Sequence, residues 1–237
     1  MNGDYRIELN RAVVVRALGA SAFFLVLAST AGQLVRLFTG HDSIYGIIPL
    51  FDLDAEANIP TYFSASLLLS AALFLSIIST LKRKARAPYA SNWTILAFIF
   101  LYLAVDEAAR LHDLMTRPLR ELLSDRATGI FYFTWVIPGL ALTFVLGVFF
   151  LRFMLHLPAQ TRSSFVIAGV LYIAGAIGLE MIGGRYAEQR GLDDLTYTMI
   201  TTLEESLEMA GSIIFVRGLM VYVAITYRDV CFRFHKA

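Results

Sequence analysis

Long apolar segments recur six times along the chain and are separated by shorter polar stretches. Each segment approaches or exceeds the roughly 20 residues that a helix needs to cross a bilayer, and a helix satisfies its own backbone hydrogen bonds there. The pattern therefore predicts an all-α transmembrane helix bundle, a single membrane domain over residues 1–237. The six predicted helices span about 17–35, 61–81, 93–112, 130–155, 165–184 and 197–227.

The basic residues between these segments indicate the direction in which the chain crosses the membrane. Cytoplasmic loops carry more Lys and Arg than loops on the other side. Residues 82–86 read KRKAR, and 12 of the 20 basic residues fall on the same side as this loop and both termini. We therefore expect cytoplasmic N- and C-termini. Small residues at 28–31 would also suit signal-peptide cleavage, but the even number of helices favours an uncleaved first helix.

The composition is typical of a membrane protein and excludes several kinds of functional site. Of the 237 residues, 57% are hydrophobic and 16% are charged, which is too apolar for a soluble domain of this length. The single cysteine, Cys231, excludes an intrachain disulfide and any zinc or iron–sulfur site that needs several cysteines. The basic loops lack interleaved aromatic residues, so we expect no nucleic-acid partner.

Three of the apolar helices become strongly acidic at one end. The segments are AVDEAARLHD at 104–113, GLEMIGG at 178–184 and TTLEESLEMAGS at 201–212. The third and fifth helices end there and the sixth begins there, so all three place ionisable residues in one outer layer. Such residues are costly at membrane depth and usually mark a functional site. The candidate site residues are Asp106, Glu107, His112, Asp113, Glu180, Glu204, Glu205 and Glu208.

Helical spacing indicates which of these residues share a face. In the sixth helix Thr201, Glu205 and Glu208 belong to one polar stripe that points into the bundle. In the third helix His112 lies about 140° round from Glu107. Both could therefore bind one ion only if the end of that helix unwinds or a neighbouring residue helps. In the whole chain 16 of the 19 acidic residues fall on the outer side, which would attract cations.

The residue types suggest a metal ion. Repulsion among so many carboxylates must be relieved by protons, by arginines such as Arg110 or Arg185, or by a metal. Carboxylates with one imidazole suit a divalent ion of iron, manganese, zinc or calcium. The Glu-x-x-His pair of di-iron bundles is absent, because Arg110 stands three residues after Glu107. We predict that the eight candidate residues form a metal site of another kind.

Three functions are compatible with these residues. The leading hypothesis is a metal-dependent enzyme that acts on a lipid or lipophilic substrate, with Glu205 or Glu208 as the catalytic base. A cation or proton transporter or channel would use the same carboxylates and would need a polar path to the inner side. A scaffold or accessory subunit would keep them as a structural ion-pair network within an oligomer or beside a partner subunit. A closed pocket would favour the enzyme.

The loop before the second helix also contains spaced acidic residues. In FDLDAEANIP, at 51–60, Asp52, Asp54 and Glu56 alternate as they do at the start of a calcium loop. The glycine and glutamate that such a loop requires are replaced by Ala57 and Phe63. We interpret this segment as a solvated loop that leads into the second helix.

Five segments together resemble an uncharacterised family of six-helix bacterial integral membrane proteins. They are FDLDAEANIPTYFS, LAVDEAARLHD, FTWVIPGLAL, GLEMIGG and TLEESLEMAGSIIF, and the likeness extends over about residues 36–215. The resemblance implies a multi-pass protein of the bacterial inner membrane. It implies no particular activity, so the candidate site depends on charge and depth alone.

Overall fold

The computed structural model describes residues 10–41, 43–123, 127–192, 195–227 and 230. Within those residues the chain is all-α and contains no strand. The α-helices are α1 (Arg11–Thr39), α2 (Ile47–Phe51), α3 (Ile59–Lys84), α4 (Ala90–Ala109), α5 (Asp113–Leu123), α6 (Val136–His156), α7 (Ala159–Ile173), α8 (Glu180–Arg190) and α9 (Leu195–Thr226). Two 3-10 turns, Ile44–Gly46 and Gly129–Phe131, and one π-helical turn, Ala174–Leu179, lie between them.

Six helical segments are long and apolar enough to cross a membrane. They are α1, α3, α4, α6, the continuous segment Ala159–Arg190, and α9. The predicted six-helix bundle is thus confirmed, and the protein is a multi-pass membrane protein. Several helix boundaries differ from the predicted ones. The first spanning helix begins at Arg11 rather than 17, and the fifth segment covers 159–190 rather than 165–184. The third spanning helix ends at Ala109 rather than 112, and the fourth begins at Val136 rather than 130. Pro138 therefore lies in the first turn of α6, where proline is compatible with a straight helix.

Short polar residues set the helix beginnings. The Asn10 side chain accepts hydrogen bonds from the backbone N–H groups of Ala12 and Val13 at 3.0 and 3.3 Å. Asn58 accepts one from Thr61 N–H at 3.1 Å at the start of α3. Both residues satisfy backbone donors that the first turn of a helix leaves unpaired. At the other end of α3 the last turn holds Lys82, Arg83 and Lys84, whose charge complements the helix dipole.

Helix α9 lies at the centre of the bundle, where it contacts α1, α3, α7 and the π-helical turn. Two of its glycines allow α7 to approach closely. A Cβ atom on Gly211 would lie 2.8 Å from the carbonyl oxygen of Ala168, and one on Gly218 would lie 3.0 Å from Ser164 Cβ. Small residues at helix crossings are the usual means of tight packing inside a membrane.

Six of the 15 buried residues in the main core cluster of the described chain are aromatic. The Phe100 and Phe215 rings stack at 4.3 Å, and Trp93 packs against Tyr222 at 4.6 Å between ring centroids. We call this group the aromatic layer, and its members are Trp93, Phe100, Phe153, Phe165, Phe215 and Tyr222. It lies toward the basic end of the bundle, where α3, α6 and α9 finish. The opposite end, where α4 and α8 finish and α9 begins, is the acidic end.

Candidate functional site at the acidic end

Helix α4 stops abruptly at the acidic end, and the chain folds back on its last turn. Arg110 adopts a left-handed conformation, with φ of 51°. Asp106 then accepts two hydrogen bonds from His112, at 2.7 Å from the backbone N–H and at 2.9 Å between the carboxylate and ring Nδ1. The helix end therefore unwinds, as was required for His112 and Glu107 to come near each other. His112 now lies close enough to Glu107 for its positive charge to attract that carboxylate.

The His112 ring is enclosed by carboxylates and one indole. Asp113 Oδ1 lies 3.7 Å from Nε2, and the Trp135 ring lies 4.7 Å away between centroids. Burial alone lowers the pKa of His112, but the hydrogen bond to Asp106 and the charges of Asp106 and Asp113 outweigh it and raise the pKa above its ordinary value. The protonated, cationic form of this histidine is thus favoured by its surroundings.

Trp135 connects this helix end to α8. Its indole N–H donates a hydrogen bond to Glu180 Oε1 at 3.1 Å. Glu180 is the first residue of α8, directly after the π-helical turn. The carboxyl groups of Glu180 and Glu204 in turn lie in hydrogen-bonding contact. One chain of contacts therefore connects the end of α4, the residue before α6, and acidic side chains of α8 and α9.

The π-helical turn brings the acidic face of α9 against the chain before α8. A Cβ atom on Gly175 would lie 2.8 Å from the Glu204 carbonyl oxygen and 2.9 Å from Glu208 Cγ. Tyr172, one turn earlier, donates a hydrogen bond to the Glu208 carboxylate. Glu204, Glu205 and Glu208 are each half-buried as residues, while their carboxyl groups are largely enclosed by protein.

The loop at 52–58 belongs to the acidic end and is not merely solvated, contrary to our interpretation from the sequence. The backbone N–H of Leu53 donates to the buried Ser29 hydroxyl at 3.0 Å, and Glu56 forms an ion pair with Arg110. Asp54 lies in hydrogen-bonding contact with Thr201 of α9. Asp54 reaches the surface, but the protein around it desolvates its carboxyl group, which, with the charge of Asp52, raises its pKa above the ordinary value.

Glu56 shows the same balance of effects as Asp54. Desolvation raises the pKa of Glu56 and outweighs the opposing charge of Arg110. Arg110 also pairs with Asp113, so one guanidinium is shared by two carboxylates. The loop was not among the predicted site residues, because alternating acidic residues before a helix are common in solvated loops. The loop could have been identified from the predicted topology, which puts residues 52–58 on the same outer side as the acidic helix ends.

All eight predicted site residues lie at the acidic end, but their contacts differ. Direct hydrogen bonds join Asp106 to His112 and Glu180 to Glu204, whereas Glu205 interacts with Glu107 and Asp54 through charge. In the part of the chain that the structure describes, no three His, Cys, Asp or Glu side chains are grouped so that they could hold a metal ion. The predicted metal-binding carboxylate cluster is thus not supported by the side-chain positions.

These features define a class, an all-α multi-pass membrane protein with a hydrogen-bonded acidic network at one end. The chain belongs to the family described as a domain of unknown function, DUF8692, whose sequence model matches residues 17–223. No curated protein and no solved structure matches the chain. The membership agrees with the resemblance noted in the sequence, and it covers every element that contributes to the acidic end.

Proposed function

We propose that this protein binds a cation at its acidic end, and that this end faces the outer side of a bacterial inner membrane. The excess of carboxyl groups over cationic partners supports the proposal. Nine acidic residues face Arg110 and the protonated form of His112: Asp54, Glu56, Asp106, Glu107, Asp113, Glu180, Glu204, Glu205 and Glu208. Carboxylates so close together in a desolvated site require protons or a bound cation.

The finer proposal concerns the identity of the cation and its use. Carboxylates beside one imidazole suit iron, manganese, zinc or calcium, and a bound ion would polarise a lipid or lipophilic substrate, with Glu205 or Glu208 as base. Because the described side chains do not already converge on one point, binding would have to reorient several of them. His112 already directs Nδ1 to Asp106, so only Nε2 would remain available to an ion.

The route from the acidic end toward the basic end supports a closed site rather than a transport path. The polar stripe of α9 runs through Thr201, Glu205, Glu208 and Ser212. The following positions of the same buried region are Phe215 and Leu219, both in the hydrophobic core. Apolar and aromatic packing of this kind is a barrier to ions and protons. In a transporter, the packing around Phe215 and Leu219 would have to open to let an ion or a proton pass.

The test is elemental analysis of detergent-purified protein, followed by calorimetric titration with manganese and zinc. We compare the wild type with the double variant Glu205→Gln/Glu208→Gln, which keeps side-chain size and removes both charges. The control is Glu121→Gln, an exposed carboxylate on α5 that pairs only with Arg117 in the described structure. We expect one or two equivalents of metal in the wild type and the control, and none in the double variant.

Two results would contradict the metal-dependent form of the proposal. If the wild type neither retains nor binds a divalent ion, the carboxyl groups hold protons, and proton flux in liposomes becomes the decisive measurement. If the double variant binds metal as tightly as the wild type, the metal site lies elsewhere. An absence of both metal and flux would leave the structural ion-pair network of a scaffold.

A further inference from the structure

A second site lies at the basic end, independent of the acidic network. The ends of α3, α6 and α9 and the start of α4 surround a cavity of about 240 Å³. Its walls combine aromatic rings with one lysine and one histidine, and its polar members are Lys82, Tyr89, Trp93, His156, Tyr222 and Thr226. No acidic side chain lines this cavity within the part of the chain that the structure describes.

The lysine and the histidine of the cavity each lie beside a tyrosine ring. Lys82 Nζ lies 5.5 Å from the centroid of the Tyr222 ring, and the His156 ring lies 4.8 Å from that of Tyr89. Cation–π contact of this kind orients an ammonium group without neutralising it. The neighbouring Arg83 is directed away, because it donates a hydrogen bond to the Thr94 hydroxyl at 3.0 Å. Lys82 thus remains available to an anion.

The position of the cavity identifies the class of anion. Tyr and Trp side chains concentrate at the level of lipid headgroups, and basic pockets between membrane helices bind anionic headgroups. The cavity lies where three membrane-spanning helices finish. Phospholipid headgroups supply phosphate at this level of a membrane, and a lysine without an acidic neighbour among the described residues of the cavity favours a headgroup with a net negative charge.

We propose that this cavity binds the phosphate group of an anionic phospholipid, with Lys82 as the cationic contact and the ring of His156 as a hydrogen-bond donor. The aromatic walls would pack against the glycerol part of the headgroup. Binding there would join the ends of α3, α6 and α9, which are far apart in the sequence. The site is separate from the acidic end, so the two proposals can fail independently.

The test is native mass spectrometry of the detergent-solubilised protein with phosphatidylglycerol or phosphatidylcholine added at equal concentration. We expect phosphatidylglycerol to be retained preferentially by the wild type. Lys82→Gln should weaken this retention by about fivefold, the effect of one basic residue near a headgroup. Lys84→Gln is the matched control, since Lys84 is on the same helix turn but outside the cavity, and it should bind like the wild type.

A second variant and a competitor complete the design. His156→Gln should also weaken retention, and it carries the test by itself if Lys82→Gln does not fold. Equal retention of both lipids, or equal losses in Lys82→Gln and Lys84→Gln, would overturn the proposal. Inorganic phosphate distinguishes the source of the anion: we expect no displacement of the lipid at millimolar phosphate, whereas full displacement would assign the cavity to free phosphate and overturn the lipid assignment.

Discussion

The contact of Asp106 with His112 joins a helix end to a titratable group. One carboxylate oxygen accepts the backbone N–H of His112 and the other accepts its ring Nδ1. The same residue therefore terminates α4 and orients the imidazole, in the way that a carboxylate fixes the tautomer of a catalytic or metal-binding histidine. Trp135 covers the ring and reports on its charge.

Asp106→Asn should lower the pKa of His112, because asparagine carries no negative charge. Its amide oxygen can still accept the hydrogen bond from the backbone N–H of His112, so the helix end should keep its conformation. Loss of an opposite charge in direct contact lowers a histidine pKa by roughly one unit or more. The measurement is the pH dependence of Trp135 fluorescence, which a nearby imidazolium quenches, in a Trp93→Phe background that leaves Trp135 as the single tryptophan. Asp113→Asn, at 3.7 Å from Nε2, should produce a smaller change. An unaltered midpoint in Asp106→Asn would refute the assignment.

Folding stability should fall as the pH rises. The pKa of His112 is raised above 6.5 in the folded protein, so its contribution is fully present below 6.5 and is lost as the pH passes through the raised value. Asp54 and Glu56 have pKa values raised above 3.8 and 4.5, and a raised carboxyl pKa acts in the same direction. We expect Tm in detergent to decrease from about pH 4 to 8. His112→Gln should flatten the upper part of that curve.

Some of the site was predictable from the sequence at the level of residues, and some was not. The acidic layer followed from helix direction and residue depth, because both are encoded in the order of apolar and polar residues. Trp135 and Tyr172 were not predicted as site residues. An aromatic residue near a membrane surface has the same local pattern whether it anchors the helix or bonds to a carboxylate, so only tertiary packing distinguishes the two roles.

At the scale of elements, the π-helical turn Ala174–Leu179 determines how α8 and α9 meet. Turns of this type inside α-helices are frequent at functional sites. Here the turn places Gly175 against the backbone of Glu204 and the side chain of Glu208. The sequence showed that this helix is rich in glycine, but glycine content does not reveal where the helical repeat changes.

Gly175→Ala should destabilise the protein by about 1–3 kcal/mol, the usual effect of an added methyl group in a close-packed contact. Its Cβ would lie 2.8 Å from the Glu204 carbonyl oxygen. Gly169→Ala is the matched control, because nothing lies within 4 Å of its added methyl group, and alanine there should raise stability by up to about 1 kcal/mol. Thermal unfolding in detergent measures both, and equal effects of the two changes would contradict the packing described here.

Helix α5 directly follows the misplaced boundary at the end of α4. Residues 113–123 are mixed in charge, and they form the amphipathic helix α5, Asp113–Leu123. Leu114 and Leu122, two turns apart, are 72% and 79% exposed, so the apolar face is not covered by the bundle. The boundary before it was misplaced because AARLH has high helix propensity, and only the Asp106 hydrogen bonds stop the helix at Ala109.

At the scale of the whole molecule, the two ends of the bundle differ in charge and are separated by the aromatic layer. Such a polarised bundle has one orientation that satisfies the positive-inside rule, with the basic end in the cytoplasm. The six spans were predictable because hydropathy and length suffice to identify them. Which helices become neighbours was not predictable, because it depends on which small residues of α7 and α9 meet.

Cysteine labelling on intact cells tests the orientation. In a Cys231→Ser background, Gln189→Cys at the exposed end of α8 should react with a membrane-impermeant maleimide, whereas Ala85→Cys, in the loop after α3, should react only after lysis. Both positions are exposed, so a difference in reactivity reports the side of the membrane. The reverse pattern would place the acidic end in the cytoplasm and exclude an outward-facing cation site.

The π-helical turn also bears on how this family can vary in length. A π-helix contains an extra residue relative to an α-helix over the same rise, so residues 174–179 behave as a one-residue insertion. Deleting one of them would restore an unbroken α-helix over the same rise and would leave the helix after it in nearly its present orientation. A single gap at this point of a family alignment would therefore be compatible with the acidic network, and it would change mainly the close contact of Gly175 with α9.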